Sequence, residues 1–253
     1  MLTYIIGALG SLLLLGYLFT ASEDVQLIQL EGLILVTGGT AAAGLMAFSK
    51  ERWKAFFQGL KICSIDAPER HQKRLEELTE LNKVYFSNDL SKLERIAEKG
   101  EMNDPLNQIL ATSLVSGYKV ADLEVLVSTH IKEFESFSDL AARTSKQLGA
   151  FAPGFGMLGT IYGLIKMLAG MGTGGVEVLG IGMSVALLTT FYGVILAQML
   201  FIPLSIFIEE KAESETSFRK KYCHVAKWVF EKVDPVDLDE RIQEIRRNEK
   251  AEK

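Results

Sequence analysis

Two long stretches almost without charge decide what this chain can become. Residues 148–170 hold one charged side chain, Lys166, and residues 179–208 hold none. At about 1.5 Å per residue, each is long enough as a helix to cross a ~30 Å hydrocarbon core. Two earlier blocks, residues 2–21 and 30–48, are also apolar, and charged stretches separate them from the later pair. The 48% hydrophobic content is therefore segregated rather than spread. This pattern predicts an all-α membrane protein: four transmembrane helices, a helical cytoplasmic insert between the second and third, and a cytoplasmic C-terminal helix.

Basic residues set the expected orientation, because Lys and Arg near span ends stay cytoplasmic. Apart from Lys166, they all fall between Lys50 and Lys146 or from Lys211 onward, and the connectors 22–29 and 171–178 have none. The two connectors are expected outside, with the insert, the tail and the N-terminus in the cytoplasm. No Lys or Arg precedes the first block and Glu23 and Asp24 follow it, so it reads as a retained helix, not a cleaved leader. The expected division is 1–49 for the first two spans, 50–147 for the insert, 148–208 for the last two spans and 209–253 for the tail.

The late spans carry stripes of small residues. Pro153, Gly156, Thr160 and Gly163 recur at i, i+3, i+7 and i+10, and Gly182, Ala186, Thr189, Gly193 and Ala197 repeat the device, with Thr190 on the flank. Apolar side chains gain little in lipid by touching one another, so such stripes mark helix packing or a pore lining. Pro153 leaves the carbonyl of Gly149 without its helical donor. The result is either a tolerated kink or a polar vestibule. The threonine hydroxyls either bond back to the preceding turn or offer oxygen to a hard cation such as Na⁺, with Thr160 and Thr190 the candidate transient ligands. Lys166, near the outer end, is expected to snorkel to the interface.

In the polar stretches, 51–63 reads as an amphipathic helix with Trp53, Phe56, Phe57 and Leu60 on one apolar face. Helices are expected over 69–83, from Asp89 to Gly100 with Asp89 as N-cap, over 106–115, and over 121–146 running on into the Pro153 span. The segment after Pro235 has a short apolar stripe, Leu238, Ile242 and Ile245, and is expected to dock weakly or fray.

Several function classes drop out. Cys63 and Cys223 lack motif spacing, and His71, His130 and His224 are scattered, so no metal site is expected. A net charge of −5 without a basic, aromatic-rich stripe argues against nucleic acid. No nucleotide loop or nucleophile motif supports an enzyme. Between Leu148 and Ile208 the sole acidic residue is Glu177, in the outer connector. A channel for protons or sodium needs an ionisable group at membrane depth, so here another chain must supply it. Lys83, Glu94, Arg95, Glu98 and Lys99 form a mixed-charge region that ordinarily means a solvated face.

The stretches Ala152-Pro-Gly-Phe-Gly-Met-Leu-Gly-Thr-Ile-Tyr-Gly-Leu164 and Val185-Ala-Leu-Leu-Thr-Thr-Phe-Tyr-Gly-Val-Ile-Leu196 closely resemble the last two spans of the MotA/PomA flagellar stator family, within the MotA/TolQ/ExbB superfamily. Leu33-Ile-Leu-Val-Thr-Gly-Gly-Thr40 is similar to the family's second span. The resemblance implies a stator subunit of the bacterial inner membrane that has no cofactor and conducts Na⁺ or H⁺. Five copies would surround a dimer of a MotB/PomB-type single-span chain, which brings the membrane aspartate and grips peptidoglycan. It places the ion pathway at Pro153, Gly156, Thr160, Gly163, Ala186, Thr189 and Thr190. Threonine at both seam positions resembles the sodium-using members. Lys83, Glu94 and Arg95 are the implied charges facing the rotor protein FliG. The family's Arg-Lys pair corresponds to Asn82-Lys83, so its arginine is absent. A TolQ/ExbB-type energiser of envelope transport and a non-conducting membrane scaffold are the alternatives; the energisers usually have one span before the insert.

Overall fold

The computed structural model describes residues 10, 13, 16, 17, 29–64, 67–99, 102, 104–171 and 176–251. Among them every regular element is helical. The expected first span, 2–21, lies outside the described residues apart from 10, 13, 16 and 17, which are helical. Among the described residues three helices are long and apolar enough to cross a membrane, within Leu30–Ala47, Val120–Gly170 and Leu179–Phe230. The chain divides into two compact units, one of residues 1–60 with 139–209 and the other of 61–138 with 210–253.

The first unit contains α1 (Leu30–Ala47), most of α2 (Lys50–Ser64), the second half of α6 (Val120–Gly170), α7 (Val176–Ile195), and the opening of α8 (Ile202–Phe230). Between α7 and α8, at Leu196–Phe201, the helix widens into a π turn without breaking. The packing follows from small residues. A Cβ placed on Gly39 would overlap the ring of Phe155 on α6, and one on Gly44 would collide with Leu148. Such bare positions let helices meet where lipid supplies no hydrophobic drive. At the start of α1, the Tyr192 hydroxyl accepts the Gln29 backbone N–H at 2.9 Å, in place of an ordinary side-chain cap.

In α2, Phe56 is buried but Phe57 is 57% exposed. The expected four-residue apolar face is therefore narrower, because Phe57 shares the solvent side with Lys54 and Lys50, one and two turns earlier.

The second unit gathers α3 (Ala67–Phe86), α4 (Leu90–Lys99), α5 (Pro105–Val115), the first half of α6, the rest of α8, and α9 (Pro235–Ala251). Leu78, Leu81, Leu93, Leu110, Leu123 and Tyr222 are among the residues of its single core. Caps fix the helix starts: Asp89 accepts the Lys92 N–H at 3.1 Å, and Asp104 accepts the Leu106 N–H at 2.9 Å with Pro105 in the first turn. Gly117, at φ +67°, ends α5 in the left-handed conformation that favours glycine. The segment after Pro235, expected to dock weakly or fray, docks. Leu238 and Ile242 are buried against the core, and at about 1.5–3 kcal/mol for each large apolar side chain this docking outweighs fraying.

Candidate functional site

In the first unit, α6 and α7 meet backbone to backbone. A Cβ on Gly163 would stand 2.7 Å from both the Ala186 nitrogen and the Gly182 carbonyl oxygen. One on Gly193 would stand 2.8 Å from the Ala152 carbonyl oxygen and 3.3 Å from the Cα of Pro153. One on Gly156 would meet the Thr189 carbonyl oxygen at 3.0 Å. Glycine is thus required along this seam by close approach, not by backbone conformation.

Thr189 sits at its centre. Its methyl group lies over Gly32 of α1, and Gly159 of α6 leaves room for its hydroxyl. The face of α6 that meets α7 is therefore Ala152, Gly156, Gly159 and Gly163, all buried. Pro153 and Thr160, expected on that face, stand on its shoulder and are only partly buried. The reason is one of bulk: their neighbours Ala152 and Gly159, 100° around the helix, are smaller and let the backbones close. Gly159 was absent from the sequence-derived stripe, although its place in Gly156-Met-Leu-Gly159 puts it one turn on.

The three hydroxyls bond to their own helices. Thr160 donates to the Met157 carbonyl at 2.6 Å, and Thr189 and Thr190 donate to that of Ala186 at 3.0 and 3.5 Å. A hydroxyl has one proton and two lone pairs, so each oxygen keeps acceptor capacity. Thr189 is buried, whereas Thr160 and Thr190 lie at the seam edge. Neither apolar stretch carries a carboxylate. The Lys166 ammonium pairs with Glu31 in the first turn of α1 at 2.8 Å.

α6 continues through Pro153. The Gly149 carbonyl, deprived of its usual donor, belongs to the turn that packs against Phe201 and Ile202. The perturbed turn of α6 and the π turn therefore lie side by side. Ser145, fully buried, crosses between them and donates to the Phe201 carbonyl at 2.8 Å. π turns cluster at functional positions, and nothing in the residue pattern signals this one.

In the second unit, Lys83 on α3 and Glu94 and Arg95 on α4 are exposed. Asn82, beside Lys83, is fully buried and donates to the Val233 carbonyl at 3.2 Å, so that position faces the core. A buried ionic cluster escaped the sequence reading. The Glu215 carboxylate accepts from His71 at 2.9 Å, Arg70 at 3.2 Å, Arg219 at 3.0 Å and Arg74. Arg74 also pairs with Asp104, the cap of α5. Burial by itself would raise the Glu215 carboxyl, but the hydrogen bond from His71 and the charges of Arg74 and Arg70 outweigh it and hold it well below the usual carboxylate range. His71 stacks on Phe218 with centroids 3.8 Å apart. The available signal was positional: Glu215 lies seven residues from both Ile208 and Tyr222, in a buried helical register. Cys223 is half-buried, and burial pushes its thiol up.

A protein-family comparison matches residues 90–221 to the profile described as the MotA/TolQ/ExbB proton channel family. The uncharacterised protein YtxD of Bacillus subtilis is 30% identical over 188 residues, covering 74% of this chain and 68% of that one. Motility protein A of Aquifex aeolicus is 26% identical over 219 residues, covering 86% and 85%. The fold matches the structure of Campylobacter jejuni MotAB with a TM-score of 0.75 and 20% identity, over 95% of this chain and 93% of that one. The chain belongs to the MotA/TolQ/ExbB proton channel family.

Proposed function

We propose that this chain is an ion-conducting stator subunit of a bacterial flagellar motor and not an enzyme. The observation that carries the reading is the α6–α7 seam: backbones in contact, threonine hydroxyls at its centre and edge, and no carboxylate along either apolar stretch. Relatives named Motility protein A and the fold likeness to MotAB support the flagellar assignment. The chain is a multi-pass protein of the inner membrane, with residues 2–21 as first of four spans and both termini cytoplasmic. Residues 1–49 and 148–208 hold the spans, and 50–147 and 209–253 the cytoplasmic parts.

A MotB/PomB-type helix supplies the acid, two such chains standing inside five copies of this one. The pathway runs along Pro153, Gly156, Thr160, Gly163, Ala186, Thr189 and Thr190, and Na⁺, or H⁺, is its cargo. Thr160 and Thr190 offer the accessible oxygen atoms, because Thr189 is enclosed. An ion crossing the membrane releases about 2.3 kcal/mol per charge per 100 mV. Neutralising the partner carboxylate removes the cost of holding its charge against an apolar wall, and the ring steps past it. Lys83, Glu94 and Arg95, exposed on α3 and α4, then push the rotor protein FliG.

The test is the double variant Thr160→Ala with Thr190→Ala, expressed with its partner and scored for rotation against external Na⁺. Loss of rotation, or a shift to higher Na⁺, is expected at unchanged membrane abundance. Rotation identical to wild type at every Na⁺ concentration leaves these residues a packing role only and removes them from the pathway.

A further inference from the structure

We propose that the corner of α1 and α2 in the first unit binds an anionic phospholipid, an acyl chain filling an apolar cavity and the phosphate meeting the basic side of α2. The cavity, about 200 Å³, is walled by Thr37 and Ala41 of α1, Trp53 and Phe56 of α2, and Leu196 and Phe201 of the π turn, among others. Its two threonine hydroxyls spend their protons within α1, Thr37 on the Leu33 carbonyl and Thr40 on that of Val36, so the walls offer a ligand no hydroxyl donor. Acyl tails surround any membrane protein, so filling the void gives fit without much selectivity. Selectivity comes from the polar rim.

One donor on the cavity wall has no acceptor: the indole Nε1 of Trp53 is buried and unbonded. Arg52, on the opposite face of α2 from Lys50 and Lys54, is held by Gln147 at 2.7 Å and by the Phe48 ring at 4.5 Å. A buried donor without a partner is destabilising, and a ligand rich in acceptors and lacking donors would satisfy that of Trp53. Phosphate and ester oxygens meet that description. On the outward side of α2, Lys50, Lys54 and the exposed Phe57 line up at helical spacing, with Glu51 on the adjoining flank. Basic residues beside an apolar anchor, immediately after an apolar helix, suit an anionic leaflet. A free anion would leave the cavity unused, and a peptide helix is too wide for it.

The experiment uses the full chain with its co-expressed partner, purified in mild detergent and examined by native mass spectrometry after adding phosphatidylglycerol or phosphatidylcholine. Phosphatidylglycerol is expected to be retained in preference, and Lys50→Gln with Lys54→Gln to weaken that preference by roughly fivefold per charge removed. Trp53→Phe, which keeps an aromatic ring and loses the N–H, and Ala41→Leu, which fills the cavity, are each expected to lower retention. Should Ala41→Leu fail to assemble, Trp53→Phe carries the test. Equal retention of the two lipids, or retention unmoved by Trp53→Phe, overturns the proposal. Displacement of the lipid preference by millimolar inorganic phosphate also overturns it, in favour of a simple anion site.

Discussion

Replacing Gly163 by alanine puts a methyl group where the structure has no room for one. It would stand 2.7 Å from the Ala186 nitrogen and from the Gly182 carbonyl oxygen, about 0.7 Å inside the 3.4 Å at which ordinary contacts begin. Both obstacles are backbone, so no rotamer change relieves the overlap and α6 and α7 must part. A gap of 0.5–1 Å forfeits roughly a quarter to a half of each facing atom pair's attraction, and overpacked sites lose about 1–3 kcal/mol. Alanine also gains helix propensity over glycine. Gly154→Ala supplies the control, because a Cβ there has nothing within 4 Å. The difference between the two variants then isolates the overlap, at about 1–3 kcal/mol. Unfolding of the purified chain in mixed micelles, titrated with dodecyl sulfate and followed by tryptophan fluorescence, measures it. A Gly163→Ala protein as stable as Gly154→Ala would refute the requirement for close approach.

Further expectations concern the buried polar groups. Glu215→Ala strands Arg70, Arg74 and Arg219 around an empty position and should lose about 3–5 kcal/mol; the same titration checks it, and a loss below about 1 kcal/mol would mean the cluster behaves as a surface pair. The native Glu215 carboxyl lies below its ordinary 4.5, so as pH falls the unfolded chain takes up its proton first. The contribution is complete above 4.5 and is lost as pH drops through the native value. Glu215→Gln should therefore flatten the fall in stability below pH 4.5, and unchanged steepness would contradict the assignment. Ser145→Ala removes the donor to the Phe201 carbonyl and should lose about 1–3 kcal/mol, read by the same titration.

How legible the molecule was depends on which force shapes each part. The long helix through Pro153 could be read because apolar residues continue on both sides of the proline and a membrane penalises any break. The cap Asp89 follows from local chemistry; Asp104 before Pro105 carries the same signal, which the sequence reading passed over. The seam was readable as a stripe but not in rotation: Pro153 and Thr160 satisfy the helical spacing as well as Ala152 and Gly159 do, and only the facing helix chooses between them. Glu215 was hidden because a charged residue in a charged run is usually solvated, and its partners Arg70, His71 and Arg74 stand far away in sequence. Leu238 and Ile242 were legible as a short stripe, and how firmly they dock is set by the surface that α3 and the rest of the core supply.

The π turn at Leu196–Phe201 also acts as a phase adjuster. Carried forward in sevens, the inward series Ala186 and Gly193 arrives at Leu200 and Phe207, but the residue buried downstream in the first unit is Ile208, one position later. A π turn holds one residue more than a regular coil, and that extra residue supplies the offset. Deleting one codon there would swing every later side chain by about 100°. Ile208 would leave its seat against Gly59 of α2 while the upstream glycines stayed in contact, so the α6–α7 seam would survive and the packing of α2 on α8 would not.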